Sequence, residues 1–348
     1  MQARAARLIE SNVSLRPFNT FGIDVKATMF ARVRSLEQLQ QVLSDPRVTD
    51  APKLVLGGGS NVVFTNDFDG CVLKVEIPGV QHESDGENWL VRVGAGENWH
   101  ALVERLINDG RPGLENLALI PGAVGAAPIQ NIGAYGVELS ERFDSLQVWN
   151  IAAGTLQTLT ASDCEFAYRD SVFKHEPSLR VIVNVNFSLP LEWTPVVGYA
   201  DVTAELRQRN VERPGPRDIF DAVVAIRRRK LPDPATVGNA GSFFKNPVVS
   251  RAQRTELIER HPSLVSYDIG GGRCKLAAGW LIEACGFKGA VRGRAAVYDK
   301  QALVLINRGG ATGAEVLALA REVQDAVRAR FRIELEPEAR IIGGGAVG

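Results

Sequence analysis

The sequence contains few of the residues that bind metals or form disulfides. Four cysteines and four histidines occur among its 348 residues. The cysteines are Cys71, Cys164, Cys274 and Cys285, with no CxxC pair and no histidine at ligand spacing. We therefore expect no metal site, and we expect buried, reduced thiols rather than disulfides.

An excess of charge of either sign is also missing. Lys and Arg together number 40, and so do Asp and Glu. Polyanions are bound through an excess of basic residues, so we expect no nucleic-acid partner.

Long apolar runs are absent as well. The first seven residues lack the apolar core of a signal peptide. The longest uncharged run, 116–137, contains two prolines, four glycines, Gln130 and Asn131, which argue against a spanning helix. The sequence thus predicts a cytoplasmic protein with no membrane partner, and the lack of coiled-coil heptads leaves a monomer as the default.

What the sequence does contain is a pattern of short strands and helices in three successive parts. Composition and turn signals predict a small α/β part over 1–68, a β-rich part over 69–216 and a third part over 217–330. The linker is 211–217, where two prolines flank a glycine. The last segment, 331–348, is predicted to carry a strand that returns to the earlier parts.

The spacing of apolar residues and the capping signals predict individual elements within these parts. The predicted helices cover 36–42, 97–108, 219–230, 276–284 and 313–330. The predicted strands cover 53–56, 71–75, 90–94, 145–150, 180–189, 302–306 and 332–342.

Two stretches of small residues suggest a place for a long, phosphate-bearing ligand. The turn 57–61 has the sequence Gly-Gly-Gly-Ser-Asn, in which consecutive backbone N–H groups can bind an anion. The tract 120–136 has four glycines and four alanines, so a flat ligand can approach its backbone. Alone, the turn fits a tight hairpin and the tract fits a closely packed loop. Together they favour one ligand that lies between them.

Three polar residues, Ser242, Arg169 and Glu338, suggest the chemistry. Taken singly, they fit an ordinary turn before a buried strand, a solvated charge and an edge-strand carboxylate. No histidine accompanies them, so a Ser-His-Asp hydrolase is a poor explanation. A Ser, an Arg and a Glu suit the protonation of a carbanion or enolate after hydride reduction, and the hydride requires a redox cofactor. Phe243 and Phe244 are predicted to anchor Ser242 in a core.

Many motifs in the chain, in the same order, resemble the family of UDP-N-acetylenolpyruvoylglucosamine reductases, which are flavoenzymes of bacterial cell-wall precursor synthesis. The resemblance covers nearly the whole chain. Its motifs lie at 16–23, 57–61, 93–100, 112–117, 120–136, 168–171, 231–234, 238–247, 275–282 and 335–338.

The resemblance implies an α+β flavoprotein of three domains. Two FAD-binding domains of the vanillyl-alcohol oxidase (PCMH) type cover 1–68 and 69–216, and the strand in 331–348 returns to them. A smaller α+β substrate-binding domain covers 217–330. The stretch 195–201 resembles the loop that closes over substrate in the type I subgroup.

The resemblance also implies the reaction. FAD is held non-covalently and is reduced by NADPH. UDP-N-acetylglucosamine enolpyruvate is then reduced to UDP-N-acetylmuramate, with hydride delivered to C3 and a proton to C2. Ser242 matches the proton donor, and Arg169 and Glu338 match its charge-stabilising or orienting partners.

Further residues match the binding positions of the family. Those matched to FAD are Gly57, Gly58, Gly59, Ser60, Asn61, Gly122, Gly125, Ile129, Gln130, Asn131, Gly133 and Arg340. Those matched to the substrate are Tyr199, Lys230, Asn246 and Gln301. Ala126 and Ala127 replace a Ser-Ser pair of many relatives, so backbone N–H groups are expected to contact the FAD phosphates there.

Two other functions remain open at this point. An oxygen-using FAD oxidase acting on a small alcohol would share the fold. A nucleotide-binding or regulatory protein without catalysis is the other, although the intact Ser242, Arg169 and Glu338 argue against it.

Overall fold

The structure is a computed structural model that describes residues 8–176 and 180–343. Short strands are its most frequent elements. Its strands are β1 (Ile9–Ser14), β2 (Lys26–Val33), β3 (Lys53–Leu56), β4 (Val62–Phe64), β5 (Phe68–Val75), β6 (Val80–Ser84), β7 (Asn88–Gly94), β8 (Gly133–Ala134), β9 (Val137–Glu138), β10 (Phe143–Asn150), β11 (Thr155–Thr160), β12 (Arg180–Pro190), β13 (Gly238–Ser242), β14 (Val248–Ser250), β15 (Ser266–Asp268), β16 (Arg273–Leu276), β17 (Val291–Arg292), β18 (Ala295–Val297), β19 (Val304–Asn307) and β20 (Arg340–Ile342).

Helices connect many of these strands. The α-helices are α1 (Leu36–Leu43), α2 (Pro46–Thr49), α3 (Trp99–Asn108), α4 (Ala161–Cys164), α5 (Val172–His175), α6 (Ala200–Gln208), α7 (Pro216–Lys230), α8 (Arg251–Arg260), α9 (Ala278–Ala284) and α10 (Gly313–Phe331). Short 3₁₀ helices cover Arg16–Phe18, Glu115–Leu117, Val124–Ala126, Pro128–Gln130 and Leu139–Glu141.

Local capping explains why several helices begin where the sequence predicts them. The Ser35 hydroxyl accepts a hydrogen bond from the Gln38 N–H at the start of α1. Thr312 and Glu315 form a reciprocal capping box at the start of α10. These side chains satisfy N–H groups that the helix itself leaves without acceptors.

Contacts divide the described residues into two compact units. Unit 1 comprises 8–13, 27–59, 68–176 and 180–229, and unit 2 comprises 14–26, 60–67 and 230–343. The predicted three-domain boundaries at 68 and 216 remain a prediction.

Unit 1 contains two sheets that share a large apolar core. One has the strand order β1-β2-β5-β3, in which β5 runs parallel to both β2 and β3. The other is antiparallel, with the order β11-β10-β12-β7-β6. The central strand β12 is buried along most of its length, and Phe187 on it packs against Trp99 of α3 with ring centroids 5.9 Å apart.

Unit 2 is assembled from segments far apart in the sequence. Its largest sheet has the order β13-β19-β18-β17, and a smaller antiparallel sheet has the order β14-β16-β15. Strand β20 pairs in parallel with β4, so Arg340 lies opposite Val62. This pairing brings the C-terminal strand beside an earlier segment of the sequence, and its return to the FAD-binding part stays a prediction.

One sequence prediction of local structure is wrong, and helix α8 was not predicted. The strand predicted over 332–342 is regular only over Arg340–Ile342, and Pro337 before it forms only an isolated bridge with Phe244. The apolar pattern also missed helix α8, in which Leu257 alone is buried. A helix with such a narrow apolar face gives little periodic signal.

The four cysteines are unpaired, and Cys71, Cys164 and Cys274 are buried. Burial raises the pKa of Cys71 to about 11 and that of Cys164 to about 12, so both thiols are protonated near neutral pH and unreactive. Among the described residues, every helix is too short or too polar to span a lipid bilayer.

Candidate active site

Ser242 is the last residue of β13 and follows an irregularity in the strand. Pairing with β19 shifts register between Asn239 and Ser242, and Ser242 lies opposite Val304. Gly241 has φ +68°, and its N–H donates to the Asn239 side chain over 2.9 Å. A bulge changes the direction in which the following side chain points. Ser242 therefore occupies a defined position on a strand, and the alternative of an ordinary turn is wrong.

The two aromatic residues after the serine are anchors, as predicted. Phe243 and Phe244 are completely or almost completely buried, and their rings lie 5.1 Å apart. The Phe243 ring also meets Phe21 edge-on, with centroids 6.5 Å apart. The Phe243 N–H donates to the Leu303 carbonyl over 2.8 Å. Packing and backbone pairing thus fix the chain immediately after Ser242.

Glu338 lies on the segment adjacent to this anchor. Its N–H donates to the Phe243 carbonyl over 2.8 Å. Two residues away, the Lys245 N–H donates to the Glu336 carbonyl over 2.9 Å, and the two side chains form an ion pair. The Glu336 carboxylate is therefore engaged by Lys245.

Asn61 and Arg340 also belong to this part of unit 2. The Asn61 side-chain N–H donates to the Glu338 carbonyl over 3.1 Å, and the Arg340 N–H donates to the Asn61 carbonyl over 2.9 Å. One side-chain donor of Asn61, predicted for FAD, thus stabilises the backbone at Glu338.

Arg169 lies in unit 1, at the tip of a tight turn. Backbone hydrogen bonds between Ala167 and Asp170 close the turn, and Arg169 has φ +56°. This left-handed conformation costs a non-glycine residue about 1–3 kcal/mol, and such residues cluster at functional sites. The Arg169 guanidinium donates to the Gly133 carbonyl over 2.7 Å, and its carbon lies 5.4 Å from the centre of the Tyr168 ring.

The turn is tied to the small-residue tract at further points. The buried Ser171 hydroxyl donates to the Ile129 carbonyl over 2.7 Å. The Asn131 amide donates to the Glu138 carboxylate over 2.9 Å and to the Ala167 carbonyl over 3.3 Å. Unit 1 therefore brings the predicted residues Ile129, Asn131 and Gly133 to the Arg169 turn.

The glycine turn and the small-residue tract touch each other within unit 1. A Cβ at Gly58 would lie 2.6 Å from the Gly122 Cα, and one at Gly125 would lie 2.5 Å from the Ala95 Cβ. These glycines are required for backbone packing. At this contact the two backbones touch, and the ligand expected between the two stretches stays a prediction. The hairpin alternative is wrong, because β3 and β4 pair with different partners.

The same contact nevertheless fits a diphosphate such as that of FAD. Within the described parts of the chain, the backbone N–H groups of Gly57, Gly58, Gly122 and Ala123 donate to no other protein group. Clustered, unengaged N–H groups are an anion site. The Ala126 N–H, by contrast, already donates to the Ala123 carbonyl over 2.9 Å.

Two of the predicted substrate residues, Asn246 and Gln301, each lie beside a residue at the start of α9 in unit 2. The Asn246 side chain accepts a hydrogen bond from the Ala278 N–H over 2.9 Å. A Cβ at Gly279 would lie 2.9 Å from the Gln301 amide oxygen. Lys230 ends helix α7.

Tyr199, the fourth predicted substrate residue, lies in unit 1 immediately before α6. It is 41% exposed, and its ring meets the Tyr135 ring edge-on with centroids 5.2 Å apart.

Sequence reasoning missed Tyr135 and Arg227. The Arg227 guanidinium lies close to the Tyr135 phenol and donates to the Leu119 carbonyl over 3.2 Å. Burial lowers the pKa of Arg227 and raises that of Tyr135. The only hint in the sequence was a tyrosine between two glycines of the small-residue tract.

Comparison with known proteins agrees with these features. Residues 27–160 match a family model described as an FAD binding domain, and residues 233–342 match one described as the C-terminal domain of UDP-N-acetylenolpyruvoylglucosamine reductase. A crystal structure of that reductase from Thermus caldophilus superposes with a TM-score of 0.68 at 24% identity, covering 96% of this chain and 99% of that one. The fold and the matched domains define an FAD-dependent oxidoreductase.

Relatives of high sequence identity show to which family of FAD-dependent oxidoreductases the chain belongs. The UDP-N-acetylenolpyruvoylglucosamine reductase of Ralstonia nicotianae is 55% identical over 340 residues, which cover 96% of this chain and 99% of the relative. That of Burkholderia ambifaria is 59% identical over 329 residues, which cover 93% and 94%. The chain belongs to the UDP-N-acetylenolpyruvoylglucosamine reductase family. The predicted family and the α+β flavoprotein fold are confirmed.

Proposed function

We propose that this chain reduces UDP-N-acetylglucosamine enolpyruvate to UDP-N-acetylmuramate, a precursor of peptidoglycan, and that Ser242, Arg169 and Glu338 carry the chemistry. Bound FAD supplies the redox step, because it accepts hydride from NADPH and delivers hydride to C3 of the enolpyruvyl group. The protein then has to deliver a proton to C2 and stabilise negative charge on the substrate.

Ser242 is the proposed proton donor to C2. A serine hydroxyl is a very weak acid, so it donates a proton only to a strongly basic carbon and only where the resulting alkoxide is stabilised. The bulge before Ser242 and the buried anchor after it hold the hydroxyl in one place. A fixed donor does not have to be reoriented during the reaction.

Arg169 and Glu338 are the proposed charge-stabilising and orienting partners. A guanidinium remains charged at all physiological pH values, and its hydrogen bond to Gly133 fixes its orientation. The observation that carries the proposal is the hydrogen bond from the Glu338 N–H to the Phe243 carbonyl. It places a carboxylate residue and the candidate acid on adjacent backbone segments, although they are far apart in the sequence.

The binding residues belong to the same proposal. For FAD they are Gly57, Gly58, Gly59, Ser60, Asn61, Gly122, Gly125, Ile129, Gln130, Asn131, Gly133 and Arg340. For the sugar nucleotide they are Tyr199, Lys230, Asn246 and Gln301. The unengaged N–H groups around Gly58 and Gly122 support the FAD assignment.

The remaining proposals concern organisation. We propose domains over 1–68, 69–216 and 217–330, with the strand in 331–348 joining the FAD-binding part. A monomer in the cytoplasm agrees with the unpaired thiols and the balanced charge.

Anaerobic stopped-flow absorbance tests the function directly. The purified protein should be yellow from FAD, NADPH should bleach it, and UDP-N-acetylglucosamine enolpyruvate should restore the colour. Rapid oxygen consumption without the sugar nucleotide would indicate an oxidase instead. A protein that takes up no FAD would contradict the proposal.

A further inference from the structure

The motif Pro-Gly-Leu-Glu-Asn-Leu at 112–117 contains two deeply buried polar side chains that the chemistry above does not use. Glu115 is 2% exposed and Asn116 is 1% exposed. Buried polar groups are costly unless they are hydrogen-bonded. Their partners therefore indicate what the motif stabilises.

Asn116 joins two loops of unit 1. Its side-chain amide donates to the Tyr135 carbonyl over 2.8 Å and to the Val196 carbonyl over 2.9 Å. Because both partners are carbonyl acceptors, the NH₂ end of the side chain must face them, and both of its N–H donors are used.

Both loops carry a tyrosine of the candidate substrate site. Tyr135 has φ +50°, a backbone conformation that needs support from its surroundings. Val196 lies three residues before Tyr199, and the two tyrosine rings meet edge-on at 81°. The hydrogen bonds of Asn116 therefore set the relative position of the two rings.

Glu115 holds the other end of the Tyr199 loop. Its carboxylate accepts a hydrogen bond from the Trp193 indole N–H over 2.7 Å and another from the Gly113 N–H over 2.7 Å. Between Trp193 and Tyr199 the chain forms no regular secondary structure. Two anchors on one 3₁₀ turn thus hold this irregular segment, in which the Val197 carbonyl also accepts the Thr203 hydroxyl over 2.6 Å.

We propose that Asn116 is a positioning residue for the sugar-nucleotide substrate. By joining Tyr135 to Val196, it presents the Tyr199 phenol in the orientation that binds the diphosphate, and Glu115 assists through Trp193. This inference rests on the proposed role of Tyr199 in substrate binding.

The first test is Asn116→Leu, which keeps a similar volume and removes both N–H donors. We expect the KM for UDP-N-acetylglucosamine enolpyruvate to rise about 10-fold to 100-fold, with kcat changed little. Flavin reduction by NADPH should be unchanged, because that half-reaction does not use Tyr199. Loss of FAD or an equal fall in both half-reactions would show a merely structural role and overturn the inference.

A double-mutant cycle with Tyr199→Phe gives the decisive measurement. If Asn116 acts by orienting the Tyr199 phenol, Asn116→Leu should raise KM no further once that hydroxyl is gone. If the two effects multiply, Asn116 acts independently and the inference fails. If Tyr199→Phe alone leaves KM unchanged, both the substrate role of Tyr199 and this inference fail, while the reductase function stands.

Trp193→Phe provides a second variant if Asn116→Leu does not fold. It keeps an aromatic ring and removes only the N–H that Glu115 accepts, so KM should rise severalfold and the rise should again vanish with Tyr199→Phe. Trp149→Phe is the matched control, because Trp149 lies on β10, outside the Tyr199 loop. Equal effects of the two tryptophan substitutions would overturn the inference.

Discussion

The two units fix their candidate residues in different ways. In unit 1, side chains donate to main-chain carbonyls, as Arg169 does to Gly133 and Ser171 does to Ile129. In unit 2, main-chain groups pair with each other around a buried aromatic anchor, Phe243, and the Asn61 side chain adds one hydrogen bond to the Glu338 carbonyl.

This difference determines which substitutions each unit tolerates. A side-chain hydrogen bond disappears with one substitution and leaves a buried acceptor unpaired. A backbone pair survives any substitution except proline, but it depends on the packing that keeps the segments together. Unit 1 should therefore be sensitive to the loss of polar groups, and unit 2 to the loss of apolar volume.

Of these substitutions, Ser242→Ala should have the largest effect. It should change catalysis and leave the stability of the protein unchanged. Removal of a general acid typically costs 10²–10⁴-fold, so flavin reoxidation by substrate should fall by about that factor. Flavin reduction by NADPH should persist, because no proton is delivered to substrate in that step. Anaerobic stopped-flow absorbance separates the two half-reactions.

Ser263→Ala, at an exposed position of the same unit, should leave both rates unchanged. Equal losses in both half-reactions of Ser242→Ala would instead assign Ser242 a structural role.

Phe243→Ala tests the packing of unit 2. Removing a fully buried phenylalanine costs about 3–5 kcal/mol of unfolding free energy, and Phe243 is completely buried. Urea denaturation followed by circular dichroism measures the loss. Val265→Ala, at a 41% exposed position, should cost less than about 1 kcal/mol. A comparable loss from both would mean that packing at Phe243 does not stabilise unit 2.

Asn131→Leu is the matching test for unit 1. Its amide bonds two acceptors, and its carbonyl accepts the Ser140 N–H over 3.0 Å. We expect a loss of about 2–4 kcal/mol by denaturation, because buried groups remain unpaired and leucine tolerates φ +41° poorly.

Asn210→Leu separates these two causes. Asn210 is exposed and has a similar φ of +57°, so its substitution measures the backbone cost of about 1 kcal/mol alone. Equal losses at the two positions would show that the side-chain hydrogen bonds of Asn131 contribute nothing.

The smallest expected effect is a loss of stability of unit 1 in acid, which results from the protonation of His100. Burial lowers the pKa of His100 below 6.5, helped by Arg228 and Arg227 and opposed by Glu104. The ring also accepts the Leu119 N–H over 3.0 Å and stacks on Phe220.

The unfolded chain therefore binds the His100 proton more tightly than the folded one. The stability contributed by neutral His100 is complete above a pH of about 6.5, and it falls as pH drops from there through the lower folded-state pKa. Urea denaturation at pH values above and below this point should show a smaller acid loss for His100→Asn than for the unsubstituted protein. Identical pH profiles would exclude the effect.

Elements with an apolar period and a capping residue could be predicted from the sequence, as α1 after Ser35 and α10 after Thr312 show. The backbone pairing of Glu338 with Phe243 is observed, and the joint action of Ser242 and Glu338 stays a prediction. These features depend on local propensity or on motifs that occur in a fixed order.

The hydrogen bonds of the Asn116 and Asn131 side chains could not be predicted. A buried asparagine has the same local signature as one in an exposed turn, and its function depends on carbonyl groups from other segments. The glycines at 58 and 122 indicated a ligand, but part of their purpose is to let two backbones touch. Such close contacts follow only from the tertiary structure.

The parallel pairing of β4 with β20 has a consequence for the order in which the chain folds during synthesis. Domains generally fold as units as they emerge from the ribosome, and unit 1 has all of its described segments once residue 229 has appeared. Strand β4 then waits for residues 340–342, which follow roughly 5 to 20 seconds later at usual rates of translation. A ribosome that stalls in this interval would leave the apolar edge of β4 unpaired, and such edges attract other chains. The nascent polypeptide is therefore most prone to aggregation late in its synthesis.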